Sequence, residues 1–282
     1  MRTYLDCIPC FFKQALSAAR LSTDDERVIR GLLDDIGRTL EDIPLESTPP
    51  QTGMLIYGKV REHTGTADPF EQIKRESTEK ALSLYPGLRE KVAASSDPLL
   101  TAVRLAIAGN VIDLGVQKPF DIEREVEAVL EKEFAIFDYD EFRAALEGAP
   151  EVLYLGDNAG ESVFDRILIE ELGRPVTFVV RGGPVINDVT REDAVHAGLD
   201  KVASIVSSGT SAPGTVLDTC TPEFLELFDA AGMIISKGQG NYEALSESDR
   251  PIFFLLKAKC AVIADDIGVL EDDIVLKAAG AN

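Results

Sequence analysis

Three loop segments combine glycines with acidic, amide or lysine side chains, and each directly follows a run of apolar residues. They are GDNAGES (156–162), RGGPVINDVTRED (181–193) and KGQGNYEAL (237–245). Glycines allow the backbone to approach a ligand closely, and polar loop residues supply binding and catalytic groups. A single loop of this kind is explained equally well as a turn or a helix cap. Three such loops after successive apolar runs favour a functional site.

The first two loops contain the predicted metal ligands. Asp157, Asn158 and Asp188 offer oxygen atoms, which hard divalent ions such as Mg²⁺ and Mn²⁺ prefer. Two carboxylates neutralise a divalent ion, and the amide adds a ligand without adding negative charge, so a phosphate group could still approach. Lys237 and Lys257 would offset the charge of that phosphate, as would the start of the helix after the first loop.

The surrounding apolar runs predict that these loops lie at one edge of a parallel sheet. After Pro150 the chain alternates short runs rich in Val, Ile and Phe with helical patterns, at a spacing of roughly 25 residues between the first strands. This alternation indicates βαβ units, whose strands are apolar on both faces and whose ligands bind beyond the carboxyl ends. The predicted strands are 152–155, 176–180, 202–206, 232–236 and 252–256.

The first 148 residues are predicted to be helical, because apolar residues recur at three- and four-residue spacing and no strand is convincing there. One of these helices is expected to start after Asp68 and to end at Pro86-Gly87. The predicted fold is therefore α/β: a three-layer α/β/α sandwich with a mostly parallel sheet and an N-terminal all-helical region. The predicted division is into 1–148, the helical region, and 149–282, a Rossmann-like region that binds the metal.

Composition limits the classes of function. The 282 residues include 49 Asp and Glu against 28 Lys and Arg, which gives a formal net charge of −21. Nucleic acid and anionic lipid are not expected as partners, because both require a basic surface. No apolar run approaches the roughly 20 residues that cross a bilayer, so a cytoplasmic protein is expected. The sequence leaves the oligomeric state open.

The cysteines do not form a recognisable disulfide or zinc framework. Cys7 and Cys10 form one C-x-x-C pair, whereas Cys220 and Cys260 are single. A structural zinc ion needs four ligands, and the missing ones would have to come from distant parts of the chain. Packed or mildly redox-active thiols are therefore favoured over half of a zinc site.

Seven short segments, in order along nearly the whole chain, together resemble one family. These segments are YLDCIPCFFKQAL, DPFEQIK, AIAGNVID, GDNAGE, PVINDVTREDA, SKGQGNYE and LLKAKCAVIA. They are similar to the metal-dependent damage-control phosphatases, also known as protein of unknown function 89, and in particular to the archaeal and bacterial branch with an N-terminal C-x-x-C. The resemblance implies a helical portion on an α/β/α sandwich, and phosphomonoester hydrolysis with Mn²⁺, Co²⁺, Ni²⁺ or Mg²⁺.

The resemblance also implies roles for individual residues. It gives Asp157, Asn158 and Asp188 as metal ligands, and we take Asp157, Asp188 and Lys237 as the catalytic residues. Contacts to the substrate are implied for the third loop, for the lysine of LLKAKC and for the helix that contains AGNVID, and Glu161 is expected at the pocket edge. The substrate-binding candidates are Glu161, Asn110, Asp113, Gly238, Gln239, Gly240, Asn241 and Lys257.

The predicted activity is in-line attack of a metal-activated water on the phosphate monoester of a small metabolite, including damaged or side-product sugar or cofactor phosphates. Lys237, Lys257 and loop amides around Gly238 and Gly240 would stabilise charge on the phosphoryl oxygens. One alternative is a nucleotide- or S-adenosylmethionine-binding transferase, although no G-x-G-x-x-G follows the first strand. The other is a non-catalytic protein whose loops only hold a metabolite.

Overall fold

A seven-stranded sheet with helices on both faces forms the core of the protein. The computed structural model describes residues 1–109 and 122–280. The described helices are α1 (Cys7–Ser22), α2 (Glu26–Glu41), α3 (Pro49–Thr64), α4 (Glu71–Ala94), α5 (Pro98–Gly109), α6 (Ile122–Glu131), α7 (Tyr139–Gly148), α8 (Ser162–Leu172), α9 (Arg191–His196), α10 (Pro222–Ala230), α11 (Gly238–Leu245) and α12 (Ala261–Ile267). The described strands are β1 (Phe134–Phe137), β2 (Val152–Leu155), β3 (Val176–Val180), β4 (Ser204–Ser207), β5 (Ile234–Lys237), β6 (Ile252–Lys257) and β7 (Ile274–Ala279).

The sheet is mostly parallel, as predicted, with the strand order β1-β7-β6-β5-β2-β3-β4. Strands β2 to β6 all run in one direction, so their carboxyl ends lie at the same edge. From β2 the chain moves outward to β3 and β4, and it then returns to place β5 on the other side of β2. Open α/β sheets bind ligands where the strand order reverses in this way. The loops after β2 and β5 flank that point.

Apolar side chains enclose the sheet on both faces. Because successive strand residues point to opposite faces, Tyr154 and Phe178 pack in the layer that contains α5 and α8. Leu155 and Phe254 point the other way, into the layer that contains α10, α11 and α12. Helices α1, α2 and α3 pack mainly on one another in a separate apolar cluster. The predicted three-layer sandwich with a helical N-terminal region is confirmed.

Strands β1 and β7 were not predicted. β1 lies within the first 148 residues, so the prediction that this part of the chain contains no strand is wrong there. It is a four-residue edge strand that pairs only with β7. β7 follows α12 directly and is antiparallel to β6. Both strands alternate with helices along the chain, but β1 is short and only half-buried, and β7 is antiparallel to its neighbour β6, so neither resembles the buried parallel strands that the prediction looked for.

Helix α4 continues through Pro86, where the sequence predicted its end. A proline inside a helix removes a backbone hydrogen bond and costs about 3 kcal/mol. Side chains on both sides of Pro86 hold α4 against α8. Tyr85 donates a hydrogen bond to Glu170 Oε1 at 2.6 Å, and Arg89 pairs with Glu170 and Glu171 at 2.9 and 2.7 Å. The prediction of a helix end is wrong because these tertiary contacts outweigh the local preference.

The predicted boundary between residues 148 and 149 stays a prediction. Helices α5 and α6, which precede the boundary, pack in the same apolar cluster as α8 and the sheet, which follow it. None of the helices within 1–109 and 122–280 is both long and apolar enough to cross a bilayer.

Candidate active site

The predicted metal ligands meet at the carboxyl edge of the sheet. Asp157 and Asn158 follow β2, and Asp188 lies in the loop after β3. Asn158 and Asp188 form an isolated antiparallel bridge, and the Val189 amide donates to the Asp157 carbonyl oxygen at 2.7 Å. The three side chains are only 8%, 8% and 4% exposed. Two loops distant in sequence therefore present two carboxylates and an amide at one place.

The third segment is not a loop: Lys237 ends β5 and residues 238–245 form α11, whose first turn approaches the same carboxylate. Helix α11 begins at Gly238, whose φ of +78° lies in the left-handed region. A Cβ atom built at Gly238 would be 1.9 Å from Asp157 Oδ2. Any side chain at residue 238 would therefore displace the Asp157 carboxylate. The start of α11 also favours negative charge, because helix N-termini carry a partial positive charge.

A buried ion network lies beside the predicted metal ligands. The Lys237 ammonium contacts Glu161 Oε1, Asp165 Oδ1 at 2.6 Å and the Ala106 carbonyl oxygen at 2.8 Å. Lys237, Glu161 and Asp165 are fully buried, and an ammonium has three protons to donate. Glu161 Oε2 in turn accepts from Asn158 Nδ2 at 3.0 Å. In this arrangement Lys237 orients Glu161, and through it Asn158.

The side-chain amide of Asn158 is oriented by its acidic neighbours. Its Nδ2 donates to Asp157 Oδ2 and to Glu161 Oε2, both at 3.0 Å. These two bonds use both amide protons. The carbonyl oxygen Oδ1 is the atom of this side chain that can bind a cation, as the predicted ligand role requires.

Arg181 links the loop that carries Asp188 to helix α11, and no role was predicted for it from the sequence. Its Nε donates to Asp188 Oδ2 at 2.7 Å, one terminal nitrogen donates to Thr215 Oγ1 at 3.2 Å, and the other to Asn241 Oδ1 at 3.2 Å. The side chain is 3% exposed. The planar guanidinium is suited to several acceptors at once. An arginine at a buried strand end, directly before two glycines, was the available signal.

Asn241, a predicted substrate-binding residue, is a fully buried link between loops. Its Nδ2 donates to the carbonyl oxygens of Gly156 and Lys237 at 3.1 and 2.8 Å. Its Oδ1 accepts from the amide and the hydroxyl of Thr215 at 2.9 and 2.8 Å, in addition to the bond from Arg181. These bonds use both the nitrogen and the oxygen of the side-chain amide. The geometry favours a role in loop alignment over direct contact with substrate.

A fourth segment, between β4 and α10, takes part in the site, and no prediction included it. Thr215 in this segment is buried and contacts Asn241. A Cβ atom built at Gly240 would lie 2.1 Å from the Pro213 carbonyl oxygen. Gly240, a predicted substrate-binding residue, therefore packs directly against the backbone of this segment.

Two further substrate-binding candidates have partners elsewhere. Gln239 Nε2 donates to Glu243 Oε1 at 2.9 Å and contacts Cys260 Sγ at 3.6 Å. Lys257 pairs with Asp272 Oδ1 at 2.6 Å. The geometry therefore gives neither side chain a role at the metal ligands.

Lys259, two residues after Lys257, acts on the site through its charge. It lowers the pKa of Asp157, and its backbone amide donates to Gln239 Oε1 at 3.3 Å. The LLKAKC segment contains both lysines, and Lys257 was the one predicted to contact the substrate. In the structure, Lys259 is the lysine whose charge acts on Asp157.

The carboxyl groups of the predicted ligands Asp157 and Asp188 have raised pKa values. Burial raises the pKa of Asp157 well above its usual range, the neighbouring Glu161 and Asp188 raise it further, and Lys259 and Arg181 lower it. Burial also raises the pKa of Asp188, to about 6, against the lowering effect of Arg181. Each carboxylate is thus held in a site that lacks sufficient positive charge.

The charges of this buried cluster, together with its donor atoms, fit a divalent cation. Its buried acids are Asp157, Glu161, Asp165 and Asp188, and the bases that pair directly with them are Arg181 and Lys237. The acids outnumber the bases by two, so a divalent cation would balance the cluster, and the carboxylate and amide oxygens suit a hard ion. No group of three His, Cys, Asp or Glu side chains in the described ranges is arranged to hold a metal. The predicted set reaches three ligands by including an amide.

Asn110 and Asp113, which the sequence placed at the pocket, lie outside the described residues. The last described residue of α5 is Gly109, where a Cβ atom would lie 3.2 Å from Glu161 Cγ. The described end of α5 therefore packs against the buried ion network.

The structure brings a third cysteine to the C-x-x-C pair. All four cysteines are free thiols. Burial raises the pKa of Cys7 and of Cys10, and both Cys260 and Glu243 contribute to the increase. Cys10 is exposed, whereas Cys7 and Cys260 are half-buried. The interpretation as packed or mildly redox-active thiols stays a prediction.

Comparison with known proteins gives consistent matches along the chain. Residues 3–275 match the model of the damage-control phosphatase ARMT1-like domain. Damage-control phosphatases of Pyrococcus horikoshii and Archaeoglobus fulgidus are each 36% identical to this chain; the matches cover 98% and 96% of it, and 97% of each relative. An uncharacterised protein of Methanocaldococcus jannaschii is 35% identical, over 96% of this chain and 94% of its own.

A solved structure shows the same fold. The crystal structure of a DUF89 family protein from Pyrococcus horikoshii superposes with a TM-score of 0.91 at 35% identity, and the match covers 99% of both chains. The α/β sandwich and the matched family model confirm the resemblance to this family that the sequence predicted, whereas the branch with an N-terminal C-x-x-C stays a prediction. On these grounds the chain belongs to the damage-control phosphatase family with the ARMT1-like domain.

Proposed function

We propose that the protein is a divalent-metal-dependent phosphatase that hydrolyses small phosphorylated metabolites. The observation that carries this proposal is the meeting of Asp157, Asn158 and Asp188 beside the reversal of strand order. A cluster of four buried acids with only two bases paired directly to them supports a divalent ion at that place. Two relatives named damage-control phosphatases support a phosphatase reaction.

The carboxylates of Asp157 and Asp188 and the amide oxygen of Asn158 would hold the metal ion. When bound, a divalent ion such as Mn²⁺, Co²⁺, Ni²⁺ or Mg²⁺ supplies a water of lowered pKa and polarises a phosphoryl oxygen. Arg181 fixes the Asp188 carboxylate through its bond to Oδ2. Glu161 fixes the Asn158 amide. The ligand geometry is therefore preorganised by the protein's own hydrogen bonds.

The phosphate would be bound by groups on the other side of the Asp157 carboxylate. Backbone amides at the start of α11, from Gly238 onwards, lie where a helix N-terminus favours an anion. Lys259 would add a positive charge, since its charge already acts on Asp157. We assign this role to Lys259 rather than to Lys257, which pairs with Asp272. Lys237 orients Glu161 instead of contacting phosphate.

The same arrangement supports a small phosphomonoester as the substrate. The chain carries a formal net charge of −21, so a phosphorylated substrate depends on local positive charge at the site. A metal ion and one lysine provide it for a small phosphomonoester, such as a damaged or side-product sugar or cofactor phosphate. The expected location of such an enzyme is the cytoplasm.

Phosphate release from p-nitrophenyl phosphate and a panel of metabolite phosphates tests the proposal. The protein is first treated with a chelator and then assayed with Mn²⁺, Co²⁺, Ni²⁺ or Mg²⁺. Activity should require a metal and should be lost in Asp157→Ala, with the circular dichroism spectrum unchanged. The exposed Asp265→Ala serves as the matched control and should retain activity.

Absence of phosphate release with every metal and every substrate would contradict the proposal. The two alternatives from the sequence would then be tested by calorimetry with nucleotides, S-adenosylmethionine and sugar phosphates. Binding without turnover would favour a metabolite-binding protein, and binding of a nucleotide or methyl donor would favour a transferase.

A further inference from the structure

Lys74, in the DPFEQIK segment, is a buried lysine between two carboxylates. Its Nζ lies 2.8 Å from Asp68 Oδ2 and 2.8 Å from Asp193 Oδ2. The residue is only 3% exposed. Asp68 precedes α4, whereas Asp193 lies in α9, just after the loop that contains Asp188. The ammonium thus connects the helical region to a loop of the site.

The same oxygen of Asp193 holds the loop backbone. Asp193 Oδ2 accepts from the Thr190 amide at 2.9 Å and from the Thr190 hydroxyl at 2.7 Å. Thr190 is two residues after Asp188, and the intervening Val189 donates its amide to the Asp157 carbonyl oxygen. A continuous series of hydrogen bonds therefore runs from the Lys74 ammonium through Asp193 to Thr190, next to Val189. The Val189 amide then joins this loop to Asp157.

Helix α4 also contacts the first loop. Ser77 lies three residues after Lys74, on the same face of the helix. A Cβ atom built at Gly160 would be 2.7 Å from Ser77 Cβ, so the helix and the GDNAGES loop are in close contact there. One face of α4 therefore touches both loops that supply metal ligands.

Stability alone is a weak explanation for a buried lysine at this position. The cost of removing the charges from water can exceed the attraction between them, and apolar residues of similar size often stabilise as well. What an apolar side chain cannot do is hold Asp193 in the position at which Oδ2 accepts both Thr190 donors. The geometry of this oxygen, shared by Lys74 and Thr190, indicates a role in alignment.

We propose that Lys74 is a positioning residue for the metal ion, acting through Asp193 and Thr190 on the loop that carries Asp188. This inference rests on the proposed metal site. Its consequence is that a residue of the helical region sets metal affinity without touching the metal. Partners of ligand residues typically change metal affinity 10- to 100-fold when they are mutated, and the indirect path here favours the lower end of that range.

Mn²⁺ binding to the chelator-treated protein, measured by titration calorimetry without substrate, tests the inference. Lys74→Met should weaken Mn²⁺ binding about tenfold relative to wild type. Lys74→Arg should restore most of the affinity, because a guanidinium can bond to both carboxylates. Lys91→Met is the matched control on the same helix, because Lys91 is exposed in the last turn of α4. It should bind Mn²⁺ as wild type does.

Thr190→Val gives a second test that leaves α4 intact. It removes the hydroxyl bond to Asp193 and should also weaken Mn²⁺ binding. Wild-type affinity in folded Thr190→Val, or in folded Lys74→Met, would overturn the inference. A wild-type protein that binds none of the four metals would instead overturn the proposed function, so the two failures are distinguishable.

Discussion

Gly238 and Asp157 are in direct contact across the point where the strand order reverses. A Cβ atom at residue 238 would lie 1.9 Å from Asp157 Oδ2, and the φ of Gly238 is +78°. Gly238 follows β5 and Asp157 follows β2, which are neighbouring strands of the sheet. The start of α11 therefore reaches the Asp157 carboxylate, a predicted metal ligand, only because residue 238 lacks a side chain.

Gly238→Ala should abolish most of the activity. The added methyl group must displace the Asp157 carboxylate, and a misplacement of about 1 Å at a reacting centre can cost about a hundredfold in rate. We expect at least that loss in kcat/KM for phosphate release, together with weakened Mn²⁺ binding. Gly87→Ala is the control, because its added Cβ meets no atom within 4 Å. It should keep full activity, and unchanged activity in Gly238→Ala would contradict the assigned contact.

Lys237→Met should act mainly on stability. The substitution leaves Glu161 and Asp165 as buried acids without their shared ammonium, and breaking a buried ion pair typically costs about 3–5 kcal/mol. We expect a loss of this size in the free energy of unfolding by urea. Adding Asp165→Asn should recover part of it. If Lys237 instead contacts phosphate, Lys237→Met would raise KM and leave the unfolding free energy near that of wild type.

The sequence was sufficient to bring the candidate residues to one edge of the sheet but not to orient their side chains. Residue type and strand spacing identified Asp157 and Asp188, because the carboxyl ends of parallel strands must lie at one edge. Lys237 stands in the predicted loop, yet its side chain turns inward to acids that the sequence had not linked to it. The choice between Lys257 and Lys259 likewise depends on the direction in which each side chain points at the end of β6. Composition and periodicity do not specify that direction.

Fold elements that depend on distant contacts were also beyond the sequence. The proline at position 86 is a local signal for a helix end, but the partners that keep α4 intact are on α8, more than 80 residues later. Strand β7 follows the β6–α12 unit in the chain but runs antiparallel to β6, a direction that is set by the pairing of the two strands. Arg181 binds partners in three separate segments of the chain, so no single segment indicates its role.

Glu243→Gln should stabilise the protein increasingly as pH rises. Burial raises the pKa of Glu243 to about 7, against a hydrogen bond from Gln239 that lowers it. A carboxyl group whose pKa is higher in the folded state favours folding while protonated, and this contribution is lost between about pH 4.5 and about pH 7. A glutamine remains neutral throughout that window. Because the side chain is only partly buried, we expect a gain of about 1–2 kcal/mol at the upper end.

Urea unfolding of wild type and Glu243→Gln at about pH 5 and about pH 8 measures this difference. The exposed Glu226→Gln is the control for loss of one negative charge, and its effect should stay small at both pH values. A Glu243→Gln difference that is equal at the two pH values, or that decreases with rising pH, would contradict a raised pKa.

The four thiols should react with iodoacetamide in an order set by exposure and pKa, because the thiolate is the reacting form. Cys10 is exposed and should be alkylated first, followed by half-buried Cys7 and Cys260. Cys220 should be slowest, since burial raises its pKa to about 11. Mass spectrometry of proteolytic peptides gives the rate for each residue, and urea should remove the differences that folding imposes. A chelator should leave the native order unchanged if these cysteines are packed thiols, whereas faster labelling of Cys7 and Cys10 after chelation would reveal a thiol-bound metal.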